Sequence, residues 1–341
     1  MSSMNSRAVG SILHGAYGDY YEQAVCLKHC RLTHPDIRLK LFAASPHRLE
    51  AFRVLDFSWA DCLELWTEIP RHRIDNFFQF QVVDEELQRD VLSHLPPHVL
   101  SKIDREENCL PWHYLRSILP LAPDQQLGLS DIGRSALPIV MGDNGISPDV
   151  FQNLTIGFLW RYRSPGGAVR PTLQVDAMQL AAKYSRLFRR LVDAHGCHVL
   201  ICGMKVARTP DNMYRIEAKY PDYGLDLPPS SSTHLKGLSW PLELEILSRC
   251  TLCVANPSGF SEALWIKRNE GVVLLDPPLH YLAKALWHRV PFFNLRQPRS
   301  IVSAMASKWE DAAFATISAE LARSSRESKR RAAPNMLKVV S

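Results

Sequence analysis

The run Asn256-Pro257-Ser258-Gly259-Phe260-Ser261-Glu262 holds the densest set of chemistry-capable residues, directly after the apolar segment Leu252-Cys253-Val254-Ala255. The apolar segment reads as a parallel strand covered on both faces. Asn256-Pro257 ends it, because proline has no N–H to give to a ladder. Ser258-Gly259 then opens a helix, and the first-turn N–H groups of a helix lack partners. Those N–H groups, reinforced by the helix dipole, form a seat for an anion such as a phosphate. Asn256, Ser258, Gly259, Phe260, Ser261 and Glu262 are the candidate residues of that seat. Glu262 falls one turn in, where its carboxylate can meet a ribose hydroxyl or simply lie on the solvated face.

Two further groups have suitable chemistry. Arg161 and Arg163 follow the apolar strand Leu154–Trp160 and lead into the glycine-rich loop Ser164-Pro165-Gly166-Gly167. Alternation puts both on one face, where guanidinium groups can grip a diphosphate bidentately or remain a pair of surface arginines. Asp19 follows Gly18 at the start of a helix. Its carboxylate can take a proton from an acceptor hydroxyl or cap the helix. His14, at the end of the preceding strand, is a second base candidate or a structural turn residue. No G-x-S-x-G, Walker A loop or G-x-G-x-x-G after a strand occurs, which weakens hydrolase, kinase and dehydrogenase readings.

The elements that position these residues alternate. Ala8–Leu13 suits a first strand, Tyr20–Arg31 a helix, and Ile37–Phe42 a second strand by strict alternation. Ser45-Pro46 starts another helix, with serine as cap and proline in its first turn. Cys62–Trp66 reads as a third strand. Glu85–Leu95 and His98–Asn108 read as helices, and 120–145 as a stretch rich in breakers. After a connection near Asp143–Asn153 a second series begins: the strand Leu154–Trp160, then a helix from Val175 to Ala194. That helix carries an apolar stripe of Leu180, Tyr184, Leu187, Phe188, Leu191 and Val192. The strand His198–Cys202, an irregular stretch over 209–237, a helix through Ser248, the strand–turn–helix above and the strand Val272–Leu275 complete it. Ile301–Arg323 reads as a closing helical segment. The order is that of an α/β protein with parallel sheets and right-handed crossovers. The expected division is 1–147 and 148–300, then the closing segment 301–323 and a basic, disordered tail 324–341. In open α/β sheets ligands bind beyond the carboxyl ends of the strands, and the loops singled out above all lie at such ends.

Composition limits the alternatives. The chain has 341 residues, 46% hydrophobic and 22% charged, as in ordinary globular proteins. Of its 40 Lys/Arg and 35 Asp/Glu, six and one fall in 323–341, leaving 34 of each sign elsewhere. A neutral body argues against nucleic acid as partner. The tail alone suits peripheral contact with an anionic membrane surface. No secretory signal or membrane-length apolar run is present, so a cytoplasmic location is the expectation. The eight cysteines read as reduced, buried thiols, including the lone C-x-x-C Cys250–Cys253. His72, His94, His98 and His113 do not match a ligand spacing, so no metal is expected.

Gly15-Ala16-Tyr17-Gly18-Asp19 resembles the G-x-x-G-D turn of heptosyltransferase-type glycosyltransferases. Asn256–Leu264 resembles the donor-phosphate turn and helix of the two-domain GT-B superfamily, and His34-Pro35-Asp36-Ile37-Arg38 the stretch before its second strand. The chain departs from the pattern at Tyr20-Tyr21-Glu22 and lacks the usual small loop with a threonine. The resemblance implies two Rossmann-like domains around a cleft, with the acceptor on the first and a nucleotide sugar on the second. It also implies that Asp19 is the catalytic base. The activity it implies is an inverting glycosyl transfer, without cofactor or metal, to a saccharide or lipid-linked glycan. A sugar-nucleotide epimerase, a polysaccharide pyruvyl transferase or a non-catalytic nucleotide-sugar binder on a similar frame are the alternatives.

Overall fold

The computed structural model describes residues 7–13, 17–80, 97, 109–110, 118–160, 172–202, 225–235, 238–256, 259–268, 272–276, 300–302 and 307–332. Among these, a first series runs β1 (Arg7–Leu13), α1 (Tyr17–Thr33), β2 (Ile37–Ala43), α2 (Pro46–Phe52), β3 (Cys62–Leu65), a 3-10 turn (Trp66–Arg71) and β4 (Asn76–Phe77). The short strands β5 (Gln79–Phe80) and β6 (Cys109–Leu110) pair with each other. Helix α3 (Asp131–Asp143) leads to a second series. This comprises β7 (Thr155–Leu159), α4 (Thr172–His195), β8 (His198–Cys202), β9 (Ser232–His234), α5 (Trp240–Ser248), β10 (Leu252–Ala255), α6 (Gly259–Arg268), β11 (Val273–Leu275), β12 (Ser300–Val302) and α7 (Trp309–Ala332).

Among the described residues every pairing of named strands is parallel, as the alternation of strand and helix requires, and an isolated antiparallel bridge joins Leu55 to Leu129. The first sheet has the order β3-β2-β1-β4 and the second β12-β11-β10-β7-β8-β9. Each sheet therefore reverses its direction of growth once, between β1 and β4 and between β7 and β10. One apolar cluster is shared by both sheets: Val9, Leu13, Leu39 and Leu41 join Leu159, Leu200, Cys253 and Ala255 in it. Helix α1 packs on α6 across this shared core. Lys28 of α1 and Lys267 of α6 donate to the adjacent carbonyls of Gln126 (2.7 Å) and Leu127 (2.7 Å). A second cluster lies on the other face of the second sheet, where α4 and α7 cover Phe158, Val254 and Leu275.

Several expectations are corrected. Residues 300–302 form an edge strand rather than the start of a helix, and the closing helix begins at Trp309. That helix continues through Ala332, so residues 324–332 of the expected disordered tail are helical, and 333–341 lie outside the described residues. No glycine or proline interrupts 309–332. Helix α3 replaces an irregular stretch. Ser130 caps it by accepting from the Gly133 N–H, and Gly133 lets the helix meet the Val54 carbonyl, where a Cβ would clash. Ser45 sits at the N-cap of α2 but makes no capping bond there. Trp66 opens the 3-10 turn instead of closing β3. The expected helices Glu85–Leu95 and His98–Asn108 lie outside the described residues.

Candidate active site

The strands that end at the candidate loops are the switch-point strands. β1 leads to His14–Asp19, β7 to Arg161–Arg163 and β10 to Asn256–Glu262. At such a point the neighbouring connections leave on opposite faces of the sheet, which opens a crevice beyond the carboxyl ends. β7 and β10 are direct neighbours, paired from Ile156–Leu252 to Leu159–Ala255. The loops after them therefore start side by side.

At the first crevice, Asp19 is the third residue of α1 and so lies in its first turn. His14 lies outside the described residues. The neighbouring Tyr20 is fully buried; its hydroxyl accepts from the Ala44 N–H (2.9 Å) and faces Arg48 Nη1 (3.4 Å). Ala44 follows the last residue of β2. Tyr20, where the chain departs from the family pattern, thus ties the start of α1 to the carboxyl end of the adjacent strand.

At the second crevice, β10 ends at Ala255 and α6 starts at Gly259, the strand–turn–helix order expected from the sequence. Gly259, Phe260, Ser261 and Glu262 are the first four residues of α6, whose N–H groups have no carbonyl within the helix to meet. Ser261 is buried. Ser258, Arg161 and Arg163 lie outside the described residues.

Asn256 is held by a directional relay. Its Nδ2 donates to the Tyr184 hydroxyl (2.8 Å), which donates in turn to Asp276 Oδ2 (2.9 Å). Lys183 Nζ donates to the same oxygen (2.8 Å) and stands 3.5 Å from the centre of the Trp309 ring. Burial, with the Asp276 carboxylate beside it, pushes the Tyr184 hydroxyl well above its ordinary range. The phenol stays protonated and stays a donor. Because Tyr184 gives its proton to Asp276, only its lone pairs face Asn256, and this fixes the amide with Nδ2 inward. Asn256 Oδ1 and Asp276 Oδ1 are left buried with no hydrogen-bond partner among the described residues. Asp276 adopts φ +53°, a left-handed conformation that Asp tolerates better than most residues.

In the sequence Tyr184 reads as part of an apolar stripe, and the strand Val272–Leu275 ends just before Asp276. The available signal was that a buried tyrosine hydroxyl needs a polar partner. A surface depression lined by Arg186, Arg189, Arg190, Glu310 and Phe314 is a weaker anion candidate. Its arginines are already paired with Glu310, Asp226 and Asp311. Among the described residues no helix is long and apolar enough to cross a membrane.

No family model matches the chain, and no curated protein matches it in sequence. Solved structures do match in fold. The glycosyl transferase family 9 protein from Veillonella parvula superimposes with TM-score 0.54 at 11% identity, covering 94% of this chain and 98% of that one. The ADP-heptose LPS heptosyltransferase II of E. coli gives TM-score 0.55 at 13% identity, covering 93% and 99%. The paired parallel sheets are thus arranged as in GT-B glycosyltransferases.

Proposed function

We propose that this chain, built on the GT-B frame, transfers a sugar from a nucleotide diphosphate donor to a hydroxyl of a saccharide or lipid-linked glycan, with inversion. The observation that carries the reading is the placement of Asp19's helix and the Asn256–Glu262 turn at the switch points of two parallel sheets. In this reading residues 1–147 bind the acceptor and 148–300 the donor. Asp19 takes the proton of the acceptor hydroxyl. The oxygen attacks the anomeric carbon from the face opposite the leaving group. The bond from that carbon to the diphosphate oxygen breaks, and its electron pair leaves with the diphosphate. Arg161, Arg163 and the N–H groups of Ser258, Gly259 and Phe260 stabilise the charge that develops there. Glu262 orients the ribose or the donor sugar. The relay from Lys183 to Asn256 holds the entry to the phosphate turn in one orientation.

Calorimetric titration with a panel of nucleoside diphosphates tests the donor site. Wild type binds one of them and Arg163→Ala binds it at least tenfold more weakly. Binding of none rejects the proposal. Release of nucleoside diphosphate only when acceptor is added distinguishes transfer from epimerisation. Asp19→Asn abolishes that release; full-rate turnover by the variant removes Asp19 as base.

A further inference from the structure

A separate cluster of chemistry-bearing side chains lies on β3, an edge strand with only β2 beside it among the described residues. Cys62 and Glu64 are two residues apart and so share one face of the sheet. The 3-10 turn Trp66–Arg71 brings the chain back, and His72 lies over that face, edge-on to Phe42 with ring centres 5.5 Å apart. One ligand atom from each of Cys62, Glu64 and His72 lies within 4.8 Å of the others. Glu64 Oε2 is 2.8 Å from His72 Nε2. All three residues are half-buried, so the cluster is partly desolvated yet reachable from solvent.

We propose that Cys62, Glu64 and His72 bind a divalent transition-metal ion of the zinc class, with water completing a tetrahedron. Sulfur, nitrogen and carboxylate oxygen are the donor set that zinc prefers, at about 2.0–2.3 Å from the metal. Donors at those bond lengths stand about 3.3–3.7 Å apart in a tetrahedron, so Glu64 and His72 separate by less than about 1 Å on binding. The ion clips the edge strand to the segment that follows it and lies on the face of the sheet.

The proton balance is explicit. Without metal, Lys40 Nζ lies 3.3 Å from His72 Nδ1 and 3.3 Å from the Arg73 carbonyl. Lys40 then donates to Nδ1, and Nε2–H donates to Glu64. On binding, Nε2 gives its lone pair to the metal, the imidazole proton moves to Nδ1, and Lys40 keeps the Arg73 carbonyl. The Cys62 thiol releases its proton to solvent. Thiolate and carboxylate together neutralise the ion. Lys40 is the neighbouring cation that opposes it.

Cobalt(II) titration of the full chain tests the proposal, because a thiolate–cobalt bond gives a near-ultraviolet charge-transfer band. Wild type shows the band at one ion per chain, and zinc bleaches it. Cys62→Ser loses the band, His72→Ala weakens binding at least tenfold, and Lys40→Met tightens it severalfold. Should Cys62→Ser fail to fold, His72→Ala carries the same comparison. Absence of the band in wild type, or its persistence at full strength in a folded Cys62→Ser or His72→Ala protein, overturns the proposal.

Discussion

Asn256 and Tyr184 meet at 2.8 Å, so the residue that follows β10 is held by a helix begun more than 80 positions earlier. Tyr184→Phe keeps the ring contacts with Phe158, Trp160 and Trp309 but removes both hydrogen bonds of the hydroxyl. The expected loss is about 1–3 kcal/mol, since an amide and a carboxylate each lose a buried partner. Urea unfolding measures it. An unchanged midpoint would show that the relay contributes nothing to stability.

Asp276 joins an ion pair to a left-handed backbone. Asp276→Ala leaves Lys183 over Trp309 without its carboxylate and puts alanine at φ +53°. Breaking a largely buried pair and straining the backbone together should cost about 3–5 kcal/mol. Asp276→Gly relieves the backbone component and should recover about 1 kcal/mol of it. Comparing the two variants by denaturant unfolding separates pair from strain.

Tyr21 presents the opposite case. It is fully buried in the shared core and its hydroxyl has no hydrogen-bond partner among the described residues. Burial, then the Glu245 charge, pushes its pKa far up. Tyr21→Phe should therefore stabilise the protein by about 1 kcal/mol, because an unsatisfied buried hydroxyl carries its full desolvation cost. A fall in melting temperature would refute this.

Glu245 on α5 sets an acid limit. Burial alone would raise its pKa, but Lys267 at 3.1 Å and Arg249 at 3.2 Å outweigh it, and the folded carboxyl titrates below its ordinary 4.5. The unfolded chain then binds more protons in that window. The contribution is complete above pH 4.5 and disappears as pH falls through the folded value. Glu245→Gln should flatten the acid limb of the stability–pH curve below that point. An identical limb in both proteins would exclude Glu245 as its source.

The strand–turn–helix at Asn256–Glu262 was legible because local rules write it: an apolar run, a proline stop and small residues at a helix start. β1, β2, β8 and β10 were legible for similar reasons. Helix α3 was not, since Gly133 and Pro138 look like breakers when the Val54 carbonyl that Gly133 accommodates is not in view. The relay at Tyr184 was hidden by distance, its partners lying 72 and 92 positions away. Cys62, Glu64 and His72 escaped for a related reason: their grouping depends on a 3-10 turn, not on a ligand spacing.

Because Val9 and Leu41 share an apolar cluster with Leu159 and Ala255, part of each half's interior is formed with the other half. Pulling the halves apart would wet aliphatic surface on both, so thermal denaturation should register in calorimetry as a single endotherm rather than two. Any relative movement of the two sheets would have to break contacts within that one shared cluster.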